Sequence, residues 1–305
     1  MTPPDGRPTV GLLGTGRMGA AMARALAAAG YEVVLWNRTP GPAAELAAAI
    51  DGRTVATPAD AARAAEICVT MLADGAAVDA VYAGPDGLLA GAHPGSVFAD
   101  ASTVAPATLQ AHAAAAGAAG AGLLDTPVSG SVGLAESGKL TIMVGGAAAD
   151  LERARPILEA MAGTVFHLGP LGTGAAMKLA VNTLIFGLNQ AVAEGLSLAE
   201  AAGIDGPLAY DVLTASAAGA PLVAYKRAAF LEPATTPVAF SLDLAAKDLR
   251  LIAALADAVG VDMPQARTNL RAIETAAAEG GGDRDFSAVA SATRTTAIGS
   301  RGGPG

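Results

Sequence analysis

Hydrophobic positions in the first half of the chain form short runs rich in β-branched residues, separated by longer alanine-rich stretches. Between the first two runs, Met18, Met22 and Leu26 recur at helical spacing, and Gly30 follows as a left-handed cap. Another helix is predicted after Thr57, which would serve as its N-cap. Strands are predicted at residues 9–13, 32–36, 66–72, 96–100, 122–125, 140–145 and 164–168. This alternation predicts βα units that build a doubly wound, mostly parallel sheet.

The strand pattern fades from residue 173 onward, and long helical segments dominate to about residue 292. Prolines divide this region into roughly five predicted helices; they are Pro207, Pro221, Pro233, Pro237 and Pro264. We therefore expect an α/β domain at residues 8–172, an all-α substrate and dimerisation domain at 173–295, and a disordered tail at 296–305. The apolar stretch 175–202 is predicted to be a helix buried within the protein. Polar residues such as Lys178 and Asn182 would be costly to bury in lipid, so a membrane-spanning helix is not expected.

The composition narrows the function classes. Of 305 residues, 52% are hydrophobic and 15% charged, and 19 basic against 28 acidic residues give a net charge of −9. Because no basic run occurs, nucleic acid is not an expected partner. One cysteine and three scattered histidines predict no metal site, and His167, in an apolar strand, is predicted to be a core residue. The start lacks the pattern of a signal peptide, and we expect a cytoplasmic protein whose chemistry is supplied by a cofactor.

A glycine-rich segment follows the first predicted strand. Gly14, Gly16 and Gly19 form G-x-G-x-x-G between that strand and a helix, with Thr15, Arg17 and Met18 at the variable positions. In this pattern the first glycine allows a tight turn, the second lets a pyrophosphate approach the backbone, and the third lets helix and strand pack closely. The sequence therefore predicts a Rossmann-like dinucleotide-binding domain in which the cofactor is contacted by five of these residues, Gly14, Thr15, Gly16, Arg17 and Met18.

The end of the second predicted strand bears on which nicotinamide cofactor is bound. NAD-selective sites usually place a carboxylate there, whereas NADP sites place donors for the 2′-phosphate. Asn37 carries no negative charge, and Arg38 and Thr39 can donate hydrogen bonds. We expect NADP to be preferred, with NAD possible. The alternative is that Arg38 is an ordinary surface arginine at the start of a loop.

Four further segments, at residues 100–106, 125–131, 172–182 and 247–251, accompany the glycine motif in a fixed order and spacing. They read DASTVAP, DTPVSGS, GTGAAMKLAVN and KDLRL. With these motifs, residues 9 to 292 resemble the β-hydroxyacid dehydrogenase family, which includes 3-hydroxyisobutyrate dehydrogenase. Within the family, the chain is most similar to the glyoxylate/succinic semialdehyde reductase branch. It has Ser131 where other members more often have a second glycine after Ser-Gly.

The resemblance implies that Lys178 is the catalytic acid/base. A positioned ammonium can protonate the alkoxide that hydride transfer creates and can stabilise its developing charge. Asn182 lies one helical turn later and is assigned to orienting Lys178 and the substrate oxygen. The alternative is that Lys178 is a surface lysine whose stem covers apolar residues at a helix start.

By the same resemblance, Ser129 and Gly130 bind the substrate carboxylate through hydroxyl and backbone N–H donors, just beyond the end of a strand. Without the lysine motif, an ordinary Ser-Gly turn would be the simpler interpretation. Thr103 matches the family position beside the nicotinamide ring and also contacts substrate.

Two further contacts with the cofactor are implied by the resemblance. Lys247 matches a second lysine that reaches the cofactor or substrate from the helical domain, although it could instead be a solvated lysine paired with Asp243. Leu72 and Ala73 match a loop near the cofactor ribose, with Ala73 where the family commonly has proline.

The expected function is NADP(H)-dependent interconversion of a small 3-hydroxy acid, or a 2- or 4-hydroxy acid, and its semialdehyde or oxo acid. Two alternatives stay open, an imine reductase and a non-catalytic NADP-binding scaffold. The long apolar helix also predicts a homo-oligomer, either a dimer or a tetramer.

Overall fold

The computed structural model describes residues 9–291 and 293, so the tail predicted at 296–305 lies outside the described residues. The chain divides after Lys178 into two compact units. One long helix, Thr173–Ala201, begins in the first unit and continues into the second. The division therefore falls within this helix, whereas the sequence predicts a boundary at its start.

The first unit is built on a sheet whose strand order is β3-β2-β1-β4-β5-β6-β8-β7, with β9 pairing on the other side of β8. Its strands are β1 (Thr9–Leu13), β2 (Glu32–Trp36), β3 (Arg53–Thr54), β4 (Ile67–Thr70), β5 (Val97–Asp100), β6 (Gly122–Asp125), β7 (Val128–Ser129), β8 (Leu140–Gly146) and β9 (Ala162–Gly169). The ladders from β3 to β6 are all parallel, whereas β8 runs antiparallel to β6 and β7. The predicted doubly wound, mostly parallel sheet is confirmed.

Helices connect these strands. They are α1 (Arg17–Ala28), α2 (Pro40–Ile50), α3 (Pro58–Ala64), α4 (Gly75–Tyr82), α5 (Leu88–Gly91), α6 (Pro106–Gln110), α7 (Ala113–Ala118), α8 (Val132–Glu136) and α9 (Ala148–Met161). Two predicted helix-capping residues are confirmed. Gly30 follows α1 with φ of 91°, and the hydroxyl of Thr57 accepts a hydrogen bond from the backbone of Asp60 at the start of α3.

The central strands are apolar and buried because helices cover both faces of the sheet. Val10 and Leu12 on β1 have no exposed surface, and neither do Val34 and Leu35 on β2. Side chains on one face of the sheet pack against α1, and Met22 on α1 is buried in the same core.

The last strand is an exception, and it corrects one prediction. β9 is paired only through β8, so most of its side chains are exposed. Phe166 is 52% exposed, and His167 is also exposed, with its Nε2 2.9 Å from the carbonyl oxygen of Gly146. The prediction that His167 is a core residue is wrong, because an apolar run does not distinguish a central strand from an edge strand.

The second unit is helical. Besides the remainder of α10 (Thr173–Ala201), it contains α11 (Gly206–Ala215), α12 (Pro221–Tyr225), α13 (Arg227–Leu231), α14 (Leu242–Val259), α15 (Pro264–Gly280) and a 3₁₀ turn at Phe286–Ala288. The described part of this unit therefore has more helices than the five predicted. The additional one arises because a bend at Lys226 separates α12 from α13, and no proline marks that bend in the sequence. No helix among the described residues is long and apolar enough to cross a membrane.

A buried ion pair and an aromatic cluster form the centre of the second unit. Phe186, Phe240 and Phe286 contact one another with ring centroids 5.7 to 6.3 Å apart. Lys226 Nζ lies 2.8 Å from both carboxylate oxygens of Asp285 and 4.3 Å from the Phe286 ring centroid. Asp285 also accepts a hydrogen bond from the backbone N–H of Phe240, which fixes the chain ahead of α14.

Candidate active site

The glycine-rich turn between β1 and α1 has the close contacts that its sequence predicts. Gly14 has φ of 98°, and a Cβ there would collide with the carbonyl oxygen of Met71. A Cβ on Gly19 would collide with the carbonyl oxygen of Gly14, so the helix can approach the turn only because Gly19 lacks a side chain. The first and third glycines therefore serve packing within this unit.

The second glycine is different, because a Cβ on Gly16 would have no atom within 4 Å. Gly16 is exposed and stands at the N-terminus of α1, where no side chain caps the helix and the first turn contains no acidic residue. The backbone N–H groups of this turn and the positive end of the helix dipole suit a phosphate. The residues present therefore fit the pyrophosphate of a dinucleotide.

Asn37 connects the glycine-rich turn to the loop after β2. Its Oδ1 accepts a hydrogen bond of 3.1 Å from the backbone N–H of Thr15, and its Nδ2 donates one of 2.9 Å to the carbonyl of Thr39. A carboxylate could accept the first bond but could not donate the second. Arg38 and Thr39 are exposed at the same loop.

A buried carboxylate joins the loops that carry the other predicted cofactor contacts. Asp100 Oδ1 accepts hydrogen bonds from Thr70 Oγ1 and from the backbone and hydroxyl of Ser102, at 2.8, 3.0 and 2.6 Å. Ser102 Oγ in turn accepts a bond of 2.8 Å from the backbone N–H of Leu72. Burial raises the pKa of Asp100, and the bonds from Ser102 and Thr70 oppose this.

This network places the loop containing Leu72 and Ala73 beside the loop containing Thr103. On the far side of Ala73, the Asp74 carboxylate accepts a 2.8 Å bond from the backbone of Ala77 and caps α4. Hydrogen bonds therefore hold the chain on both sides of Ala73.

The predicted substrate-binding turn follows β7. Ser129 pairs with Thr141 on β8 and is partly exposed. Gly130 has φ of 145°, and a Cβ there would lie 2.8 Å from Leu140 Cδ2, so only glycine suits this position. Ser131 immediately precedes α8, and its hydroxyl accepts a hydrogen bond of 3.3 Å from the backbone N–H of Leu134. Ser131 thus caps the helix that follows the substrate-binding turn.

Lys178 lies in the second turn of α10, and the start of this helix is held to the sheet. Asp125, at the end of β6, accepts a bond of 2.7 Å from the backbone N–H of Gly172 and one of 2.6 Å from that of Ala175. Burial raises the pKa of Asp125, and these two bonds oppose the rise.

In the second unit, Asn182 on α10 contacts α14. Its Nδ2 donates a hydrogen bond of 2.7 Å to Asp248 Oδ2, and Lys247 Nζ lies 2.8 Å from Asp248 Oδ1. Asp248 is 1% exposed. This ion pair joins Lys247 to its neighbour Asp248, whereas the sequence suggests Asp243 as an alternative partner.

Sequence reasoning assigned no role to three carboxylates that organise these residues, namely Asp100, Asp125 and Asp248. The first two end adjacent strands of a parallel sheet, and a hydroxyl residue follows each within two positions. That pattern could have indicated buried carboxylates at the edge where ligands bind. Among residues 9–291 and 293, no group of three or more histidine, cysteine or acidic side chains could hold a metal ion.

Comparison with known protein families gives two matches that together span nearly the whole chain. Residues 9–169 match the family described as the NAD binding domain of 6-phosphogluconate dehydrogenase. Residues 172–293 match the family described as "NAD-binding of NADP-dependent 3-hydroxyisobutyrate dehydrogenase".

Individual relatives agree with these matches. The chain is 33% identical to glyoxylate/succinic semialdehyde reductase 2 of Arabidopsis thaliana, over 95% of this chain and 80% of the relative. It is 36% identical to glyoxylate/succinic semialdehyde reductase 1 of the same plant, over 93% of this chain and 98% of the relative. Among solved structures, 3-hydroxyisobutyrate dehydrogenase from Salmonella typhimurium aligns with a TM-score of 0.86 at 31% identity, over 93% of this chain and 99% of that one.

Proposed function

Because this chain belongs to the β-hydroxyacid dehydrogenase family, we propose that it interconverts a small hydroxy acid and its semialdehyde or oxo acid with NADP(H). The alcohol is a 3-hydroxy acid or a 2- or 4-hydroxy acid. The observation that carries this proposal is the start of α10, where Asp125 binds two backbone N–H groups just ahead of Lys178. A lysine on a helix fixed at the ligand-binding edge of such a sheet suits proton transfer.

NADP(H) would supply or accept the hydride when bound. The residues that would hold its phosphates are Gly14, Thr15, Gly16, Arg17 and Met18, with Gly16 leaving the space that a phosphate needs. Leu72, Ala73, Thr103 and Lys247 are further proposed cofactor contacts.

The NADP preference is proposed from the loop after β2. Asn37 contributes no negative charge to repel a 2′-phosphate, and its amide already bonds to both Thr15 and Thr39. The exposed guanidinium of Arg38 can form paired hydrogen bonds with a phosphate.

Lys178 is the proposed acid/base. In reduction its ammonium donates a proton to the oxygen that gains negative charge, and in oxidation the neutral amine accepts that proton. Asn182 is proposed to orient the lysine and the substrate oxygen. Because Asn182 Nδ2 donates to Asp248, Oδ1 is the atom it can offer as an acceptor to an ammonium or hydroxyl.

Ser129 and Gly130 are proposed to bind the substrate carboxylate. The hydroxyl of Ser129 and the backbone N–H at the glycine are donors, and a carboxylate is an acceptor. The left-handed backbone of Gly130 fixes where this N–H points. Thr103 is proposed to lie between the substrate carboxylate and the nicotinamide.

A panel of substrates tests this function. We expect NADPH-dependent reduction of glyoxylate, succinic semialdehyde or a related aldehyde acid, and a higher kcat/KM with NADPH than with NADH. Arg38→Ala should reduce the NADPH preference while leaving NADH turnover unchanged. Turnover of a cyclic imine but of no aldehyde acid would favour an imine reductase. Tight NADPH binding without oxidation by any carbonyl acid would favour a non-catalytic scaffold.

We also propose that the protein forms a homo-oligomer. Leu184 and Leu198 on α10 are 68% and 73% exposed, and Leu208 and Val212 on α11 are 57% and 60% exposed. Large apolar side chains on adjacent helices are typical of subunit contacts. Light scattering after gel filtration should give the mass of a dimer or tetramer, and a monomer across the micromolar range would contradict the proposal.

A further inference from the structure

The contact between the end of β6 and the start of α10 joins the sheet to the helix that carries Lys178. Each oxygen of the Asp125 carboxylate serves a different backbone donor, Oδ1 for Gly172 and Oδ2 for Ala175. Two bonds from one planar group define direction as well as distance. A carboxylate at a helix N-terminus also interacts favourably with the helix dipole.

The surroundings of this carboxylate leave the helix little freedom to move. A Cβ on Gly174 would collide with the carbonyl oxygen of Met143, and one on Gly145 would collide with Asp125 Oδ1. Both positions therefore require glycine for the helix end to approach the sheet so closely. Asp125 itself is only 2% exposed.

We propose that Asp125 is a positioning residue that sets where Lys178 stands relative to the substrate-binding turn. Asp125 and Ser129 belong to the same short segment of chain, so one strand end carries both the substrate-binding turn and the carboxylate that holds the lysine helix. The inference rests on the proposed function, since it assumes that Lys178 transfers a proton to a substrate bound near Ser129.

Replacing the carboxylate should affect turnover more than cofactor binding. In Asp125→Asn the amide oxygen can accept one of the two backbone bonds, whereas its NH₂ group opposes the other N–H. We expect kcat to fall about tenfold to a hundredfold, because misplacement by about 1 Å can have that effect. NADPH affinity should stay within about twofold of wild type. Asp125→Ala should lose more turnover than Asp125→Asn.

Thr173→Ala is the matched control. The Thr173 hydroxyl donates a 2.8 Å bond to the carbonyl of Pro170 in the same turn, but it does not bind the sheet carboxylate. This variant should retain kcat within about twofold of wild type. A general loosening of the turn would instead lower kcat in Thr173→Ala and Asp125→Asn alike.

Hydrogen exchange provides a readout that does not depend on activity. In the wild-type protein without cofactor, the amides of Gly172 and Ala175 should exchange slowly, whereas that of Met18 in the uncapped first turn of α1 should exchange rapidly. In Asp125→Asn, exchange at Gly172 and Ala175 should accelerate at least tenfold.

The results separate the two proposals. Rapid exchange at Gly172 and Ala175 in the wild type, or wild-type kcat in Asp125→Asn, would overturn the positioning role. Slow exchange at both amides in a protein that reduces no carbonyl acid would instead contradict the proposed function, while the contact with Asp125 would stand.

Discussion

Replacing Gly16 by alanine tests the position at which we propose that a phosphate of the cofactor binds. The backbone of Gly16 has φ of −65° and ψ of −179°, which alanine adopts without strain. The added methyl group has no protein atom within 4 Å. Gly16→Ala should therefore fold normally, and it should gain about 0.4–1 kcal/mol of stability, because alanine restricts the unfolded chain.

The same methyl group would occupy the space through which the pyrophosphate is proposed to approach the backbone. Losing one hydrogen bond to a charged group costs about 1.5–3 kcal/mol. At about 1.4 kcal/mol for each factor of ten, the dissociation constant for NADPH should rise about tenfold to a hundredfold. Gly16→Ala thus separates the two properties, raising stability while weakening cofactor binding.

Gly19→Ala provides the contrast, because its methyl group would collide with the carbonyl oxygen of Gly14. Overpacking of this kind costs about 1–3 kcal/mol, so this variant should be less stable than wild type even without cofactor. Urea denaturation of the cofactor-free proteins measures the first effect, and titration of NADPH fluorescence measures the second. Wild-type NADPH affinity in Gly16→Ala would refute the phosphate site, and unchanged stability in Gly19→Ala would refute the packing argument.

Two further predictions concern buried charges. Asp285→Asn leaves the Lys226 ammonium buried without a countercharge and should lower the free energy of unfolding by about 3–5 kcal/mol. Combining it with Lys226→Met should recover most of the lost stability. A double variant less stable than Asp285→Asn in urea denaturation would contradict this prediction. Burial raises the pKa of Asp100, so its contribution to stability is full below the unfolded pKa of about 3.9 and is lost as pH rises through the folded value. The stability of wild type relative to Asp100→Asn should therefore decline as the pH rises above about 4, and an increase of this relative stability with pH in urea titrations would contradict the assignment.

Local patterns predicted the regular elements well. Strands β1, β2 and β6 begin and end where the hydrophobic runs do, and the caps at Gly30 and Thr57 lie where their residue types indicated. The strands β3 and β7 were not predicted, because two residues are too few to show a period. The edge strand β9 resembles a central strand in sequence, since burial depends on the strands that pair with it.

The sequence could indicate only those parts of the candidate site whose residues lie close together along the chain. The glycine motif and the spacing of Lys178 and Asn182 lie within one turn and one helix. Asp125 and the backbone it binds are 47 and 50 residues apart, and Asn182 and Asp248 are 66 apart. Such contacts depend on how the chain returns to the same place, which no window of sequence contains. The sequence pattern at the strand ends could have indicated that Asp100 and Asp125 are buried, but the partners of Asp125 and Asp248 became evident only in the folded chain.

The central claim is that Lys178 transfers the proton in an NADP(H)-dependent reaction of a small carbonyl acid. Lys178→Ala tests it most directly, with succinic semialdehyde and glyoxylate as substrates and NADPH oxidation followed at saturating concentrations. General acid and base groups contribute about 10²–10⁴-fold, so kcat should fall by at least a hundredfold while the dissociation constant for NADPH stays near that of wild type. Full turnover in Lys178→Ala would contradict the account.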